Sequence, residues 1–266
     1  MEFNRLKQYQ QLPNVIIAVL LFCFAALYLA TIDRAGFWFD EVETIFDLRE
    51  SFLQMVENRT LRGHGPVYFT MAWLWHSLVG DSEWLLRLPS LLAWLSVVVI
   101  SSFMVRRHVS PWVGVIVTLF LLINPTLVHL AHLVRPYALA ILLALISMAL
   151  MLRYEDRPRL KDSFVLAILS ALAINTHYSM AIPLVSQLIY LLVRRNPNWI
   201  LSTGIALGAI TVIPILQYLH DRRSLGENLS WVKQAGLEDL YQMPVTMTLG
   251  WTTPSYWPFV SVLMVI

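Results

Sequence analysis

The run P-N-V-I-I-A-V-L-L-F-C-F-A-A-L-Y-L-A-T-I, Pro13 to Ile32, is followed after D-R-A by G-F-W-F-D-E-V-E-T-I-F, Gly36 to Phe46. The first stretch is 20 residues long and carries no charge, which is the length a helix needs to cross a bilayer. The second puts three carboxylates, Asp40, Glu41 and Glu43, directly behind an aromatic cluster. A dense acidic group therefore sits where a membrane helix meets water. Met1 to Gln11 is polar and carries Arg5 and Lys7, and the apolar run has no small-residue cleavage site. It reads as a retained membrane helix rather than a cleaved signal peptide.

The rest of the chain has the same character. It is 58% hydrophobic and 14% charged, with 10 Trp and 12 Phe in 266 residues. A soluble domain has about 45–50% and about 25%, so lipid is the solvent for much of this chain. The net charge of +2 gives a nucleic-acid partner no electrostatic support. Cys23 is the single cysteine, so no intrachain disulfide can form.

Apolar runs predict spans near 13–32, 88–105, 112–129, 136–152, 163–178, 179–193 and 199–219. A further apolar run begins near Tyr256 and continues to Ile266, which reads as the start of another membrane helix in a longer protein. Basic residues cluster at Arg106–Arg107, at Arg153, Arg157, Arg159 and Lys161, at Arg194–Arg195, and at Arg5 and Lys7. The positive-inside rule places all four groups on the cytoplasmic side. Loops 33–87, 130–135 and 220–254, and a tight turn near 177–179, then face outward. Parity holds if Val67–Val79 does not cross, and a run of 13 residues holding His76 reads as an interfacial or re-entrant helix; if it crosses, every later loop inverts and the basic loops face outward. Within the first outer loop, Ile45, Leu48, Phe52, Met55 and Val56 recur at helical spacing, which predicts an amphipathic helix along the membrane surface.

The acidic cluster has two readings. Asp40 and Glu43 stand three apart, the spacing of a capping box, and acids in a first helical turn suit the helix dipole. The other reading comes from what shares the outer face. His64 lies in R-G-H-G-P-V-Y-F, Arg135 and Tyr137 in H-L-V-R-P-Y-A-L, and His177 and Tyr178 in N-T-H-Y-S. Singly, each suits an interfacial anchor or a snorkelling rim residue. Gathered at membrane depth, ionisable groups point to function, and a carboxylate beside Arg and His suggests a base with an anion clamp.

The order first span, F-W-F-D-E-V-E, H-G-P-V-Y-F, G-D-S-E-W-L-L-R-L-P-S, R-P-Y-A-L resembles the polyprenyl-phosphate-sugar-dependent glycosyltransferases of the GT-C fold. Nearest are the dolichyl-phosphate-mannose protein mannosyltransferases and their bacterial aminoarabinose-transferase-like branch. The resemblance runs to about Tyr218 and rests on the order of short motifs. It implies an all-α integral membrane protein, a multi-span GT-C helical bundle with amphipathic interfacial helices in the first outer loop. Residues 1–219 would form the catalytic module, 220–254 an outer loop holding Trp231 and Tyr241, and 255–266 the start of a further helix.

The resemblance also implies roles. The donor would be a sugar on a polyprenyl phosphate and the acceptor a hydroxyl of a protein, lipid or glycan. Asp40, with Glu41 beside it, matches the proposed general base. His64, Arg135, Tyr137, His177 and Tyr178 would face the donor phosphate and substrate. The family turn His-Pro-Pro or Lys-Pro-Pro reads His64-Gly65-Pro66 here, with Gly for one Pro. Ala140 stands where some relatives carry a second acid. Some GT-C enzymes use a divalent metal; with no His-x-x-x-His or Asp-x-Asp, metal use is left open. The protein would lie in the plasma (inner) membrane if bacterial, with its site on the outer side. A transporter or lipid flippase, kept alive by Asn124-Pro125 and Ile182-Pro183, and a non-catalytic scaffold are the rival readings. Asn58-Arg59-Thr60 and Asn228-Leu229-Ser230 match the N-glycosylation triplet.

Overall fold

The computed structural model describes residues 2–34 and 36–221, with side chains described from Gln11 to Tyr218. The loop predicted at 220–254 and the apolar run 255–266 lie almost wholly outside the described residues. The described chain is helical, without strands. It comprises α1 (Glu2–Leu29), α2 (Phe39–Leu48), α3 (Phe52–Leu61), α4 (Pro66–Val79), α5 (Glu83–His108) and α6 (Pro111–Ile123). There follow α7 (Pro125–Ala131), α8 (Tyr137–Tyr154), α9 (Leu160–Thr176), α10 (Ala181–Val193), α11 (Trp199–Ile210) and α12 (Ile213–Asp221).

Among the described residues, four segments are long and apolar enough to cross a membrane: Gln11–Leu29, Glu83–His108, Tyr137–Tyr154 and Trp199–Tyr218. The run predicted as one span at 112–129 is instead broken. α6 and α7 meet at 65°, because Pro125 cannot continue the ladder and Asn124 Oδ1 accepts from Leu127 N at 3.1 Å to start a new helix. Pro183 breaks nothing, since it falls in the first turn of α10. α9, at 17 residues, is about 25 Å long.

Packing follows the rules of lipid rather than water. Phe22, Leu78, Ile182 and Val193 are each at least 70% exposed, the pattern expected where hydrocarbon is outside. Small residues let helices approach. Gly204 and Gly208 of α11 press on Ser163, Ala167 and Ser170 of α9 so closely that a Cβ at either glycine would meet backbone oxygen. Polar pairs add glue, with Ser147 Oγ donating to Gln187 at 3.0 Å between α8 and α10. One apolar core gathers Tyr28, Leu91, Trp94, Val98, Leu122 and Ala138, and a second gathers Met151, Leu166, Leu184, Leu201 and Ile205.

α2, α3 and α4 form a shelf of helices of 10, 10 and 14 residues. None is long enough to cross a ~30 Å hydrocarbon layer. α4 starts after Gly65, which packs on the Asn175 backbone in the last turn of α9. It ends where Trp75 Nε1 donates to Leu85 O at 2.8 Å and His76 meets Asp81 at 2.8 Å, beside the start of α5. Glu41 joins Arg87 of α5 to Val134, and the Tyr137 ring lies 5.2 Å from His177 at the end of α9, so the end of α9 and the start of α5 share one end of the bundle and α4 leaves and returns there.

The sequence predicts one amphipathic helix through this shelf, and the structure has two. Ser51, in extended conformation (ψ 151°), restarts the chain as the N-cap of α3. The predicted capping box shifts as well. Trp38 is the N-cap of α2, and its N–H donates to Glu41 Oε2 at 2.9 Å. Asp40 lies inside the first turn and Glu43 reaches Arg62 at 2.9 Å. Asn58 of the N-glycosylation triplet lies within α3 and donates to Asp47 at 3.1 Å.

Candidate active site

The site lies where the shelf meets the end of the bundle. Glu41 is its keystone. Its side chain is 1% exposed, and its two oxygens accept from Trp38 N (2.9 Å), Val134 N (2.8 Å), Arg87 Nε (3.2 Å) and Arg87 Nη2 (3.1 Å). One carboxylate thus joins α2, α5 and the segment leading into α8. Arg87 also donates to Ile32 O at 2.6 Å and Gly36 O at 3.2 Å and pairs with Glu83 at 2.7 Å. A buried pair so fully bonded is held in one geometry.

That geometry fixes the next residues on both strands of the hub. Asp40 adjoins Glu41, and Arg135 adjoins Val134. Arg135 Nη2 stands 3.5 Å from Asp40 Oδ2. The two differ in access: the Arg135 side chain is 6% exposed and the Asp40 side chain 48%. Arg135 Nε has no hydrogen-bond partner among the described residues. The guanidinium lies 5.8 Å from the Tyr137 ring, whose centroid is 5.2 Å from that of His177.

His177 caps α9, and its Nδ1 accepts from Ser179 N at 3.2 Å. His64 reaches the same patch from the turn before α4. Gly63 has φ +79°, which favours glycine, and the His64 N–H donates to Arg59 O at 2.9 Å. Gly65 takes the place of one proline of the double-proline turn that the resemblance led us to expect. A side chain there would collide with the Asn175 carbonyl, so glycine brings His64 against the end of α9. Burial, then the charges of Arg135 and Arg59, push the His64 pKa down to about 3. Burial and Arg135 lower that of His177 as well. Both imidazoles are therefore neutral at physiological pH, and Arg135 is the cation that faces Asp40.

Tyr178 stands apart. It packs on the second core, with its hydroxyl buried and without a partner among the described residues. The structure thus joins Asp40, Glu41, Arg135, Tyr137, His177 and His64, and leaves Tyr178 behind them.

Sequence reasoning assigned no role to Arg87 or Arg59. Arg87 opens a long apolar run, and an arginine at membrane depth is itself a signal. Arg59, in α3, is 0% exposed. It pairs with Asp47, donates to Glu43 O and lies 5.1 Å from the Phe69 ring. Among the described residues no group of three His, Cys, Asp or Glu side chains is placed to hold a metal ion. Glu41 has no free lone pair to spare for one.

The family described as dolichyl-phosphate-mannose-protein mannosyltransferase matches residues 63–218, a segment holding His64, Arg87, Arg135 and His177 and starting after Asp40 and Glu41. No curated protein and no solved structure matches the chain. The matched segment is more than half of the sequence, its helices are those of a multi-span membrane protein, and the chain belongs to the dolichyl-phosphate-mannose-protein mannosyltransferase family, as a membrane glycosyltransferase of the GT-C kind.

Proposed function

We propose that the protein moves a hexose or pentose from a polyprenyl-phosphate donor to an acceptor hydroxyl, with Asp40 as general base. The observation that carries this is the pairing of an accessible carboxylate with a buried arginine at 3.5 Å. Asp40 takes the proton of the acceptor hydroxyl, whose oxygen bonds to the anomeric carbon. The bond from that carbon to the phosphate oxygen breaks, and the electron pair leaves with polyprenyl phosphate. A single displacement inverts the anomeric centre. The charge that develops on the leaving phosphate faces Arg135, whose Nε is free to donate. His64 and His177, being neutral, act as hydrogen-bonding groups. Glu41 serves the reaction by holding Asp40 and Arg135 in register. The polyprenyl tail keeps the phosphate at the membrane surface, where these side chains gather.

Residues 1–219 are the catalytic module on this reading. Arg106, Arg107, Arg153 and Arg194 stand at the ends of α5, α8 and α10 away from Asp40. By the positive-inside rule the site then faces outward, across the plasma membrane in a bacterial host.

The test supplies membranes containing the full-length protein with radiolabelled polyprenyl-phosphate sugars and hydroxyl acceptors of protein, lipid and glycan type. Transfer with inversion at the anomeric carbon supports the proposal. Retention of configuration, or no consumption of any donor while the lipids cross the bilayer, overturns it.

A further inference from the structure

At the end of the bundle away from Asp40, the segment joining α8 to α9 sorts its charges. Glu155 and Asp156 turn towards Arg194, at 3.0 and 3.8 Å. Tyr190 and Asn198 bind the same Glu155 from α10 and the start of α11. The cations of the segment face the other way. Arg153, Arg157, Arg159 and Lys161 line a cavity of about 480 Å³ with Asp162 and Val165. Asp162 is the one carboxylate there. It is 5% exposed, and its Oδ2 is committed to Arg159 N at 2.9 Å. None of the four cations takes part in an ion pair among the described residues. Like charges held together around a cavity repel one another, and an anion in that cavity relieves the repulsion.

What adjoins the cavity is apolar. Leu160, Phe164, Ile168 and Leu172 recur at every fourth position of α9 and are 83, 67, 45 and 36% exposed. The stripe starts beside Lys161 and runs into the span. A free inorganic anion has no use for such a surface, whereas an anionic phospholipid has a use for both halves. We propose that this cavity binds the phosphate headgroup of an anionic phospholipid, with an acyl chain along the Leu160–Leu172 stripe. The site is separate from the reacting centre: α8 alone runs 18 residues from Tyr137 to Tyr154, about 27 Å of helix. A lipid held there clips α8 to α9, the helices whose far ends lead to Tyr137 and His177.

The purified protein in a neutral detergent tests this by titration with phosphatidylglycerol carrying an acyl-chain fluorophore. Phosphatidylcholine with the same label is the comparison, and inorganic phosphate the competitor. Phosphatidylglycerol is expected to bind at least about 10-fold tighter than phosphatidylcholine, and R157Q/K161Q to weaken it about 10–30-fold. R153Q/R159Q, a second pair of exposed residues, provides the same reading should the first fold poorly. Arg107→Gln, an exposed arginine at the same end outside the cavity, leaves binding unchanged. Equal affinity for the two lipids, an equal loss with Arg107→Gln, or displacement by inorganic phosphate at the lipid's own concentration overturns the proposal.

Discussion

Glu41→Ala is the substitution whose outcome the structure specifies most closely. It removes four accepted hydrogen bonds at once, from Trp38 N, Val134 N and two nitrogens of Arg87. Breaking a buried ion pair by deleting one partner costs about 3–5 kcal/mol. An unpartnered buried N–H such as that of Val134 costs about 1–3 kcal/mol, and loss of a helix cap about 1 kcal/mol. These overlap, because one side chain carries them all, and Arg87 keeps Glu83 at 2.7 Å and two carbonyls. The net expectation is about 4–6 kcal/mol, a large part of a typical ~5–15 kcal/mol. Glu41→Gln, which keeps the shape and half the acceptors but not the charge, should lose about half as much. The assay is equilibrium unfolding in detergent micelles, followed by tryptophan fluorescence and paired with the KM for donor. Glu41→Gln raises KM by displacing Arg135 through Val134. A Glu41→Ala protein within about 1 kcal/mol of wild type refutes the keystone role. A Glu41→Gln protein of wild-type stability with kcat reduced by orders of magnitude shows instead that Glu41 acts in the chemistry.

Other outcomes follow from single contacts. Gly65→Ala drives a Cβ into the Asn175 carbonyl, so the turn must shift at about 1–3 kcal/mol; a melting temperature equal to wild type contradicts that contact. His64 stays neutral in the folded protein down to about pH 3, while unfolded it protonates below about 6.5. The unfolded state therefore binds more protons between those values, and stability falls as pH drops, by up to about 1.4 kcal/mol per unit. H64Q should flatten that dependence between pH 6.5 and 4.5 relative to wild type; parallel curves overturn it. Gly204→Leu should separate α11 from α9, where Ser163 is in contact, and lower the melting temperature more than Leu207→Ala, whose side chain is 58% exposed.

Legibility differed between bundle and shelf for a physical reason. Membrane spans announce themselves by length and charge, so the runs predicted at 13–32, 88–105, 136–152 and 199–219 fall on segments long and apolar enough to cross; those at 163–178 and 179–193 fall on shorter helices, and Asn124-Pro125 carried its own warning of the bend in 112–129. The shelf depends on side chains that meet across the chain. Whether Asp40 or Glu41 closes the cap of α2 is decided by Arg87, 46 residues away. Arg59 disappears into the interior because Asp47, Glu43 and Phe69 surround it. No periodicity within α3 encodes that. The candidate residues were visible as polar groups flanking apolar runs. The division of labour between two adjacent carboxylates, one buried and bonded, one exposed, was not visible, because it is a property of the partners and not of the pair.

The most direct measurement is the turnover of Asp40→Asn against wild type, in membranes, with a polyprenyl-phosphate sugar that wild type consumes. Asn keeps the size of the side chain but takes no proton. Asp40 is half exposed and makes one long ion pair at 3.5 Å, so the variant should fold and express as wild type does. kcat is expected to fall by about 100-fold or more while donor affinity changes little. Turnover within a few-fold of wild type in a folded Asp40→Asn protein would mean that another group takes the proton, and the proposed base would be wrong.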